Sequence, residues 1–160
     1  MNMPCTGLYA GSFDPYTNGH HAIVRKAAGL FDILYVMIAV NTQKRRAFDA
    51  ETMCVAIQET LRQDALSNVC VVVYSGMVAD FCAQNGIRYY VRGLRNNMDY
   101  NYEENIAQIN HLINPDLETV YMRSDDSAIS SSMIRELLTF DKPVDAYVPA
   151  PVRRLIADQK

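Results

Sequence analysis

The chain has 160 residues, of which 49% are hydrophobic and 21% are charged, a balance typical of a soluble globular domain. Its formal net charge of −3 argues against nucleic acid or a membrane surface as a partner, since both attract basic proteins. No apolar stretch approaches the ~20 residues that cross a bilayer and the N-terminus lacks a signal-peptide pattern, so we expect a cytoplasmic protein.

Short apolar runs alternate with amphipathic segments along the chain. The apolar runs, rich in β-branched residues, predict strands at residues 8–10, 33–40, 69–74, 88–91 and 119–122. The amphipathic segments predict helices, because their apolar residues recur at the spacing of one helix face. These helices cover residues 18–30, 49–65, 77–84, 99–112, 130–139 and 151–158.

This alternation predicts a single α/β domain over residues 1–160, with a helical tail from about residue 143. The runs at 33–40 and 69–74 are apolar throughout, as in strands that are covered on both faces. We therefore expect a Rossmann-like, doubly wound sheet of five parallel strands. In such sheets, ligands bind beyond the carboxyl ends of the strands, where the strand order reverses.

The first predicted strand runs into a loop that contains glycine and proline. The loop reads Gly11-Ser12-Phe13-Asp14-Pro15, and Thr17-Asn18-Gly19-His20 follows. Asn18 can cap the next helix, which would place His20 in the first turn. The first N–H groups of a helix have no partner within the helix, and the helix dipole adds partial positive charge there. This segment therefore predicts a phosphate-binding helix start.

Polar and cationic residues also follow the other predicted strands. They are Asn41, Lys44 and Arg45 after the second strand, residues 75–78 after the third, Arg92 and Arg95 after the fourth, and residues 127–132 after the fifth. Because the protein is acidic overall, cations gathered at one edge of the sheet predict an anion-binding pocket. Polyphosphate is the expected anion.

Each cluster taken alone has a simpler explanation. Residues 44–46 fit a solvated loop, and the serines at 130–132 fit a helix N-cap. Arg92 and Arg95 could pair with carboxylates of the following helix. The candidate carboxylates are Asp99 and Glu103. We interpret His21 as a capping or surface histidine. The coincidence of several clusters at successive strand ends is what favours a functional site.

The motifs also occur together, and in this order, in a known family. They are Gly11-Ser12-Phe13-Asp14-Pro15 with Thr17-Asn18-Gly19-His20, Lys44 before Phe48, Arg92-Gly93-Leu94-Arg95 with Tyr102-Glu103, and Ile129-Ser130-Ser131-Ser132. On these motifs, over nearly its whole length, the chain resembles the nucleotidyltransferases with a His-or-Thr-x-Gly-His signature, and specifically the bacterial phosphopantetheine adenylyltransferases. The resemblance implies transfer of AMP from ATP to 4′-phosphopantetheine in coenzyme A synthesis. The products would be dephospho-coenzyme A and pyrophosphate, formed by direct in-line attack without a covalent intermediate.

The resemblance also implies a role for each motif residue. His20 would bind the α-phosphate of ATP and stabilise the transition state. Lys44 and Arg92 would hold the acceptor phosphate, while Ser12 and Val78 would contact the acceptor as well. The residues implied to bind ATP are Ser12, Phe13, His20, Gly93, Leu94, Arg95, Glu103, Asp126, Ser127, Ala128, Ile129, Ser130, Ser131 and Ser132.

The implied chemistry needs positioning and electrostatics rather than a general base, because an acceptor phosphate is already ionised near neutral pH. The resemblance further implies Mg²⁺ held by the substrate phosphates, with no metal ligands from the protein, and a homohexamer. We expect the four cysteines to be reduced and mostly buried thiols, since they lie far apart and lack the spacing of a metal site. They are Cys5, Cys54, Cys70 and Cys82.

The sequence departs from the family pattern at two places. Ser12 stands where the family usually has Thr, which keeps the hydroxyl, and the 123–128 loop is shorter and lacks a frequent aromatic residue.

Two other functions stay open. One is an adenylyl- or cytidylyltransferase acting on a nicotinamide nucleotide or an alcohol phosphate, because residues 130–135 are close to the terminal motif of the nicotinamide branch. Thr17 at the first signature position counts against that branch. The other is a non-catalytic nucleotide sensor on the same fold.

Overall fold

The structure is a computed structural model that describes residues 2–95, 97–123 and 129–160, without the side chains of residues 97–99. The elements are β1 (Thr6–Gly11), α1 (Asn18–Ala28), β2 (Ile33–Ala39), α2 (Ala50–Gln63), β3 (Val69–Tyr74), α3 (Val78–Gln84), β4 (Tyr89–Leu94), α4 (Asn97–Ile113), β5 (Glu118–Arg123), α5 (Ser131–Thr139) and α6 (Ala150–Asp158). A short 3-10 helix at Asp145–Tyr147 precedes α6. Each predicted strand and helix is confirmed, with shifts at the ends.

The five strands form one sheet in the order β3-β2-β1-β4-β5, and each neighbouring pair is parallel. The chain runs outward from β1 to β3 and then crosses back to β4 on the other side of β1. The strand order therefore reverses between β1 and β4. The prediction of a doubly wound, parallel, five-stranded sheet is confirmed.

Helices cover both faces of this sheet. Parallel strands are joined by right-handed crossovers, so the two directions of travel from β1 place the connecting helices on opposite faces. The larger hydrophobic core packs α1, α2, α5 and α6 against side chains such as Tyr9 and Val36. The smaller core packs α3 against Leu8 and Met37, and α4 lies beside α3. Adjacent strand residues thus enter different cores, as the two-residue period of a strand requires.

The start of α1 differs from its prediction. Thr17, not Asn18, is the N-cap, because the Thr17 hydroxyl accepts the His20 N–H at 3.2 Å and the His20 ring accepts the Thr17 N–H at 3.0 Å. This reciprocal pair is a capping box. The Asn18 side chain instead donates to the Ala146 carbonyl at 3.1 Å, which ties α1 to the segment before α6.

The end of β4 also differs from its prediction. The strand was expected to stop at Val91, but it continues through Arg92 and Gly93 to Leu94. These residues are in register with the last residues of β5, and Arg92 lies opposite Tyr121. The added ladder explains why an arginine and a glycine lie inside a strand rather than in the loop after it.

Among the described residues, no helix combines the length and the apolar character that a membrane crossing requires.

Candidate active site

A pocket of about 280 Å³ opens where β1 and β4 diverge, which is where the strand order reverses. Its lining residues come from both strand ends, the start of α1 and the start of α5. They are Tyr9, Ala10, Gly11, Ser12, Phe13, Thr17, Gly19, His20, Ile23, Arg92, Gly93, Arg95, Ile129, Ser130 and Ser131. We call this cavity the central pocket. It brings together most of the described residues that were predicted to bind ATP.

A second pocket of about 570 Å³ adjoins the central one and is strongly cationic. Its lining residues are Ser12, Asp14, Ala39, Asn41, Lys44, Arg45, Arg46, Ala47 and Arg135. We call it the basic pocket. Ser12 lines both pockets, so a ligand in one lies next to a ligand in the other. Lys44 belongs to the basic pocket only, although it was predicted to act together with Arg92 of the central pocket.

His20 lies in the first turn of α1, as predicted, and its ring orientation is fixed. Nδ1 accepts the Thr17 N–H at 3.0 Å, so in the neutral ring the proton is on Nε2. Burial first, and the positive charge of Arg95 second, lower the pKa of His20 to about 4. The imidazole is therefore uncharged at neutral pH and offers Nε2–H as a donor. No hydrogen bond within the described part of the chain uses that nitrogen.

Phe13 packs against the ring of His20. Its side chain is buried, and its ring meets the His20 ring edge to face with centroids 4.9 Å apart. The backbone of Phe13 has a φ of 45°, a left-handed conformation that costs a non-glycine residue about 1 kcal/mol or more. A Cβ at Gly11 would lie 2.9 Å from this ring, so only glycine fits before the turn. Any nucleotide contact by Phe13 would use its backbone.

The segment after β2 holds the signature loop in place. Arg46 donates to the Ser12 carbonyl at 2.7 Å and to the Phe48 carbonyl at 2.9 Å. The Asp14 carboxylate accepts the backbone N–H groups of Ala47 and Phe48 at 2.9 and 2.8 Å. The sequence led us to treat residues 44–46 alone as a solvated loop, and for Arg46 that is wrong. The sequence carried no signal that distinguishes it from Arg45.

The start of α5 holds the same loop from the other side. Arg135 donates to the Asp14 carbonyl at 2.7 Å, and the Ser131 hydroxyl donates to the Pro15 carbonyl at 2.7 Å. Ser130 caps α5, since its hydroxyl accepts a backbone N–H of the first turn. The three elements that carry the first, second and last motifs are thus joined by direct hydrogen bonds.

Arg92 is held in a bidentate ion pair with Glu103 of α4. The two hydrogen bonds measure 2.5 and 2.7 Å, and the Tyr90 hydroxyl accepts a third at 2.8 Å. Burial works to lower the pKa of Arg92, but the Glu103 carboxylate raises it overall, so the guanidinium stays charged. Pairing with the following helix was one of the alternatives for Arg92, and it is confirmed. Glu103 is buried and lines neither pocket, so its predicted nucleotide contact stays a prediction.

The remaining predicted site residues lie at the edges of the pockets or outside them. Val78 begins α3 and Leu94 ends β4, and neither lines a described pocket. Ser132 is exposed in the first turn of α5. Asp126, Ser127 and Ala128 lie outside the described residues, so the structure says nothing about their predicted nucleotide contacts.

His21 corrects the sequence interpretation. It was expected to be a capping or surface histidine, yet it is only 4% exposed. The Tyr16 hydroxyl lies 2.9 Å from one ring nitrogen, and Asp64 lies 2.6 Å from the other. A buried ring is stable here because both nitrogens have partners. The hydrophobic spacing of α1 could not show this, because both partners lie outside that helix.

Three comparisons with known proteins bear on the family and the fold of this chain. The profile of the cytidylyltransferase-like family matches residues 8–137. The chain is 42% identical over 149 residues to the phosphopantetheine adenylyltransferases of Streptococcus pyogenes serotype M5 (strain Manfredo) and serotype M49 (strain NZ131). These alignments cover 91% of this chain and 90% of each relative.

Among solved structures, the chain is similar to a Vibrio parahaemolyticus protein provisionally assigned as a nicotinate-nucleotide adenylyltransferase. The TM-score is 0.74 over 98% of this chain and 93% of the other. The sequence identity is 17%, so this likeness shows the fold alone.

Proposed function

Because this chain belongs to the phosphopantetheine adenylyltransferase family, within the cytidylyltransferase-like proteins, we propose that it transfers the adenylyl group of ATP to 4′-phosphopantetheine. The products are dephospho-coenzyme A and pyrophosphate, which places this nucleotidyltransferase in coenzyme A biosynthesis. The observation that carries the proposal is the central pocket, which combines His20, Arg92 and Arg95 at the reversal of the strand order. We also propose that the protein is located in the cytoplasm.

His20 acts on the α-phosphate of ATP as a neutral hydrogen-bond donor. Its Nδ1 is used by the Thr17 N–H, so Nε2–H is the group that meets the phosphate oxygens. A fixed donor of this kind stabilises the charge that develops on those oxygens as the acceptor attacks. Arg95 lines the same pocket and adds positive charge. Gly93 and residues 129–132 bind the rest of the nucleotide.

The acceptor phosphate lies between the two pockets. Ser12 lines both of them, while Lys44 approaches from the basic pocket and Arg92 from the central one. With one cation on each side, the acceptor phosphate is held in line with the α-phosphorus. The two positive charges also lower the repulsion between the acceptor phosphate and the phosphates of ATP. Val78 contacts the pantetheine arm. No side chain has to remove a proton.

Mg²⁺ would be held by the substrate phosphates and by water rather than by side chains of this chain. Of the carboxylates that the structure describes near the two pockets, Asp14 accepts two backbone N–H groups and Glu103 is paired with Arg92. Within the ranges that the structure describes, no three His, Cys, Asp or Glu residues cluster as a metal site. Mg²⁺ keeps several waters and binds readily through substrate phosphates, where it would offset their negative charge.

A homohexamer is the proposed assembly. Support comes from α4, whose outer face carries exposed apolar side chains at helical spacing. They are Tyr102, Ile109, Leu112 and Ile113. An apolar face of this kind is typical of a contact between subunits. Sedimentation of the purified protein gives its mass in solution, and a monomer at micromolar concentration would contradict the assembly.

Pyrophosphate release tests the proposed function. Purified protein is incubated with ATP and Mg²⁺, with and without 4′-phosphopantetheine. We expect pyrophosphate only when the acceptor is present, in amounts equal to the dephospho-coenzyme A formed. ATP binding without pyrophosphate release under both conditions would indicate the nucleotide sensor instead.

A further inference from the structure

A series of hydrogen-bonded polar side chains runs from Asp64, which is exposed at the C-terminal end of α2, through the buried His21 and Tyr16 to the back of the His20 ring. The Asp64 carboxylate lies 2.6 Å from His21 Nε2, and His21 Nδ1 lies 2.9 Å from the Tyr16 hydroxyl. Tyr16 is fully buried. Arg25 donates to the same Asp64 oxygen at 2.7 Å. None of these residues has a role in the proposed reaction.

The hydrogen bonds of this series have a fixed direction. The His21 hydrogen bond and the Arg25 hydrogen bond lower the pKa of Asp64, so its carboxylate can only accept. Burial lowers the pKa of His21, which favours the neutral ring. His21 Nε2–H must therefore donate to Asp64, which leaves Nδ1 as the acceptor for the Tyr16 hydroxyl. Both nitrogens of the buried His21 ring then have a hydrogen-bond partner.

Tyr16, at the inner end of this hydrogen-bonded series, contacts His20. The Tyr16 ring stacks on the His20 ring, with centroids 5.8 Å apart and planes inclined by 27°. It also meets Phe13 edge to face at 5.4 Å, and Phe13 supports His20 in turn. Because the Tyr16 hydroxyl is hydrogen-bonded to His21, the Tyr16 ring cannot shift or tilt away from His20 without breaking a buried hydrogen bond. An apolar pair would fill the same space without this restraint.

We propose that Tyr16, His21 and Asp64 are positioning residues, which hold the plane of the His20 imidazole through the stacked Tyr16 ring. They do not touch the substrates. Their effect is on how accurately His20 Nε2–H meets the α-phosphate, so it is expected in kcat rather than in the KM for ATP. The inference rests on the role proposed above for His20.

A double-mutant cycle tests the inference. Tyr16→Phe keeps the ring and removes the hydroxyl, and it should lower kcat by about 3- to 10-fold while the KM for ATP changes less than about twofold. In the His20→Asn background the same substitution should have no further effect on kcat, because positioning acts only through His20. A general structural defect would instead lower kcat by the same factor in both backgrounds.

The matched control is Tyr35→Phe, which removes a tyrosine hydroxyl beside the smaller core on the other face of the sheet and should leave kcat unchanged. If Tyr16→Phe does not fold, Asp64→Ala carries the same cycle from the partly exposed end of the series. A parental kcat for Tyr16→Phe, or an equal loss in both backgrounds, would overturn the inference. These results differ from the one that would contradict the proposed function, which is an inactive parent protein.

Discussion

His20 has its orientation and its protonation state set by different neighbours. The Thr17 N–H and the rings of Phe13 and Tyr16 fix its orientation, whereas burial and Arg95 keep it neutral. The sequence predicted its place in the first turn of α1, because Thr17-Asn18-Gly19-His20 follows a strand and a turn. It could not predict the stacking on Tyr16 or the hydrogen-bond partners of His21, which depend on tertiary contacts.

His20→Asn should lower kcat by roughly 100-fold or more, the loss expected when a preorganised donor to a developing oxyanion is removed. Asn places an acceptor near the Nδ1 position and so keeps the hydrogen bond of Thr17, but it has no atom at Nε2. Steady-state pyrophosphate release gives kcat, and the melting temperature checks that the variant is folded. Parental turnover in a folded variant would remove His20 from the mechanism.

Lys44→Ala and Arg92→Ala should both raise the KM for 4′-phosphopantetheine but should differ in stability. Lys44 is exposed, so its loss should change the free energy of unfolding by less than about 0.5 kcal/mol. Loss of Arg92 leaves the buried Glu103 carboxylate unpaired and should cost about 2–3 kcal/mol.

Steady-state kinetics and urea unfolding measure the two effects, and Arg92→Ala with Glu103→Ala is the control, since it removes the unpaired carboxylate and should regain part of the stability. An unchanged acceptor KM in both single variants would contradict the assignment of the acceptor site.

At the scale of elements, the site is assembled by hydrogen bonds that join separate segments to one loop. The segment after β2 reaches the loop through Arg46, and the start of α5 reaches it through Ser131 and Arg135. The order of the elements along the chain predicted that these segments meet at one edge of the sheet. Which of two adjacent arginines points inward could not be predicted, because Arg45 and Arg46 have the same chemistry and differ only in tertiary contacts.

Arg46→Gln should lower the free energy of unfolding by about 2 kcal/mol, because it removes charged hydrogen bonds to carbonyl groups of the loop. Arg45→Gln is the matched control, since Arg45 is exposed in the same pocket, and it should change stability by less than about 0.5 kcal/mol. Urea unfolding of the two variants beside the parent measures the difference. Equal stability of both variants would show that Arg46 does not hold the loop.

At the scale of the whole molecule, the sheet order is what brings the motifs together. The uniformly apolar runs at 33–40 and 69–74 predicted parallel strands, and the alternation with helices predicted a doubly wound sheet. The extension of β4 through Arg92 was missed, because arginine and glycine are unusual inside a strand and only the ladder with β5 explains them. Local patterns carry no information on such pairing between distant segments.

The stability of the folded chain should fall between pH 7.5 and pH 5.0. His20 and His21 both have a pKa below the ordinary value of 6.5, so the unfolded chain binds protons that the folded chain does not. Their contribution is complete above pH ~6.5 and is lost as the pH falls towards the folded pKa, about 4 for His20.

Urea unfolding at a fixed protein concentration should give about 1–2 kcal/mol less stability at pH 5.0 than at pH 7.5. The decrease should be smaller in His20→Asn, which has one titrating ring fewer. A free energy of unfolding that is equal at the two pH values would contradict the neutral state of these histidines.

A competition between acceptors tests the central claim most directly. The protein is incubated with ATP, Mg²⁺ and equal concentrations of 4′-phosphopantetheine and nicotinamide mononucleotide, and mass spectrometry identifies the adenylylated product. The account predicts dephospho-coenzyme A and one pyrophosphate for each molecule formed, with no dinucleotide of nicotinamide. Formation of the nicotinamide dinucleotide as the main product, or no adenylylated product at all, would contradict it.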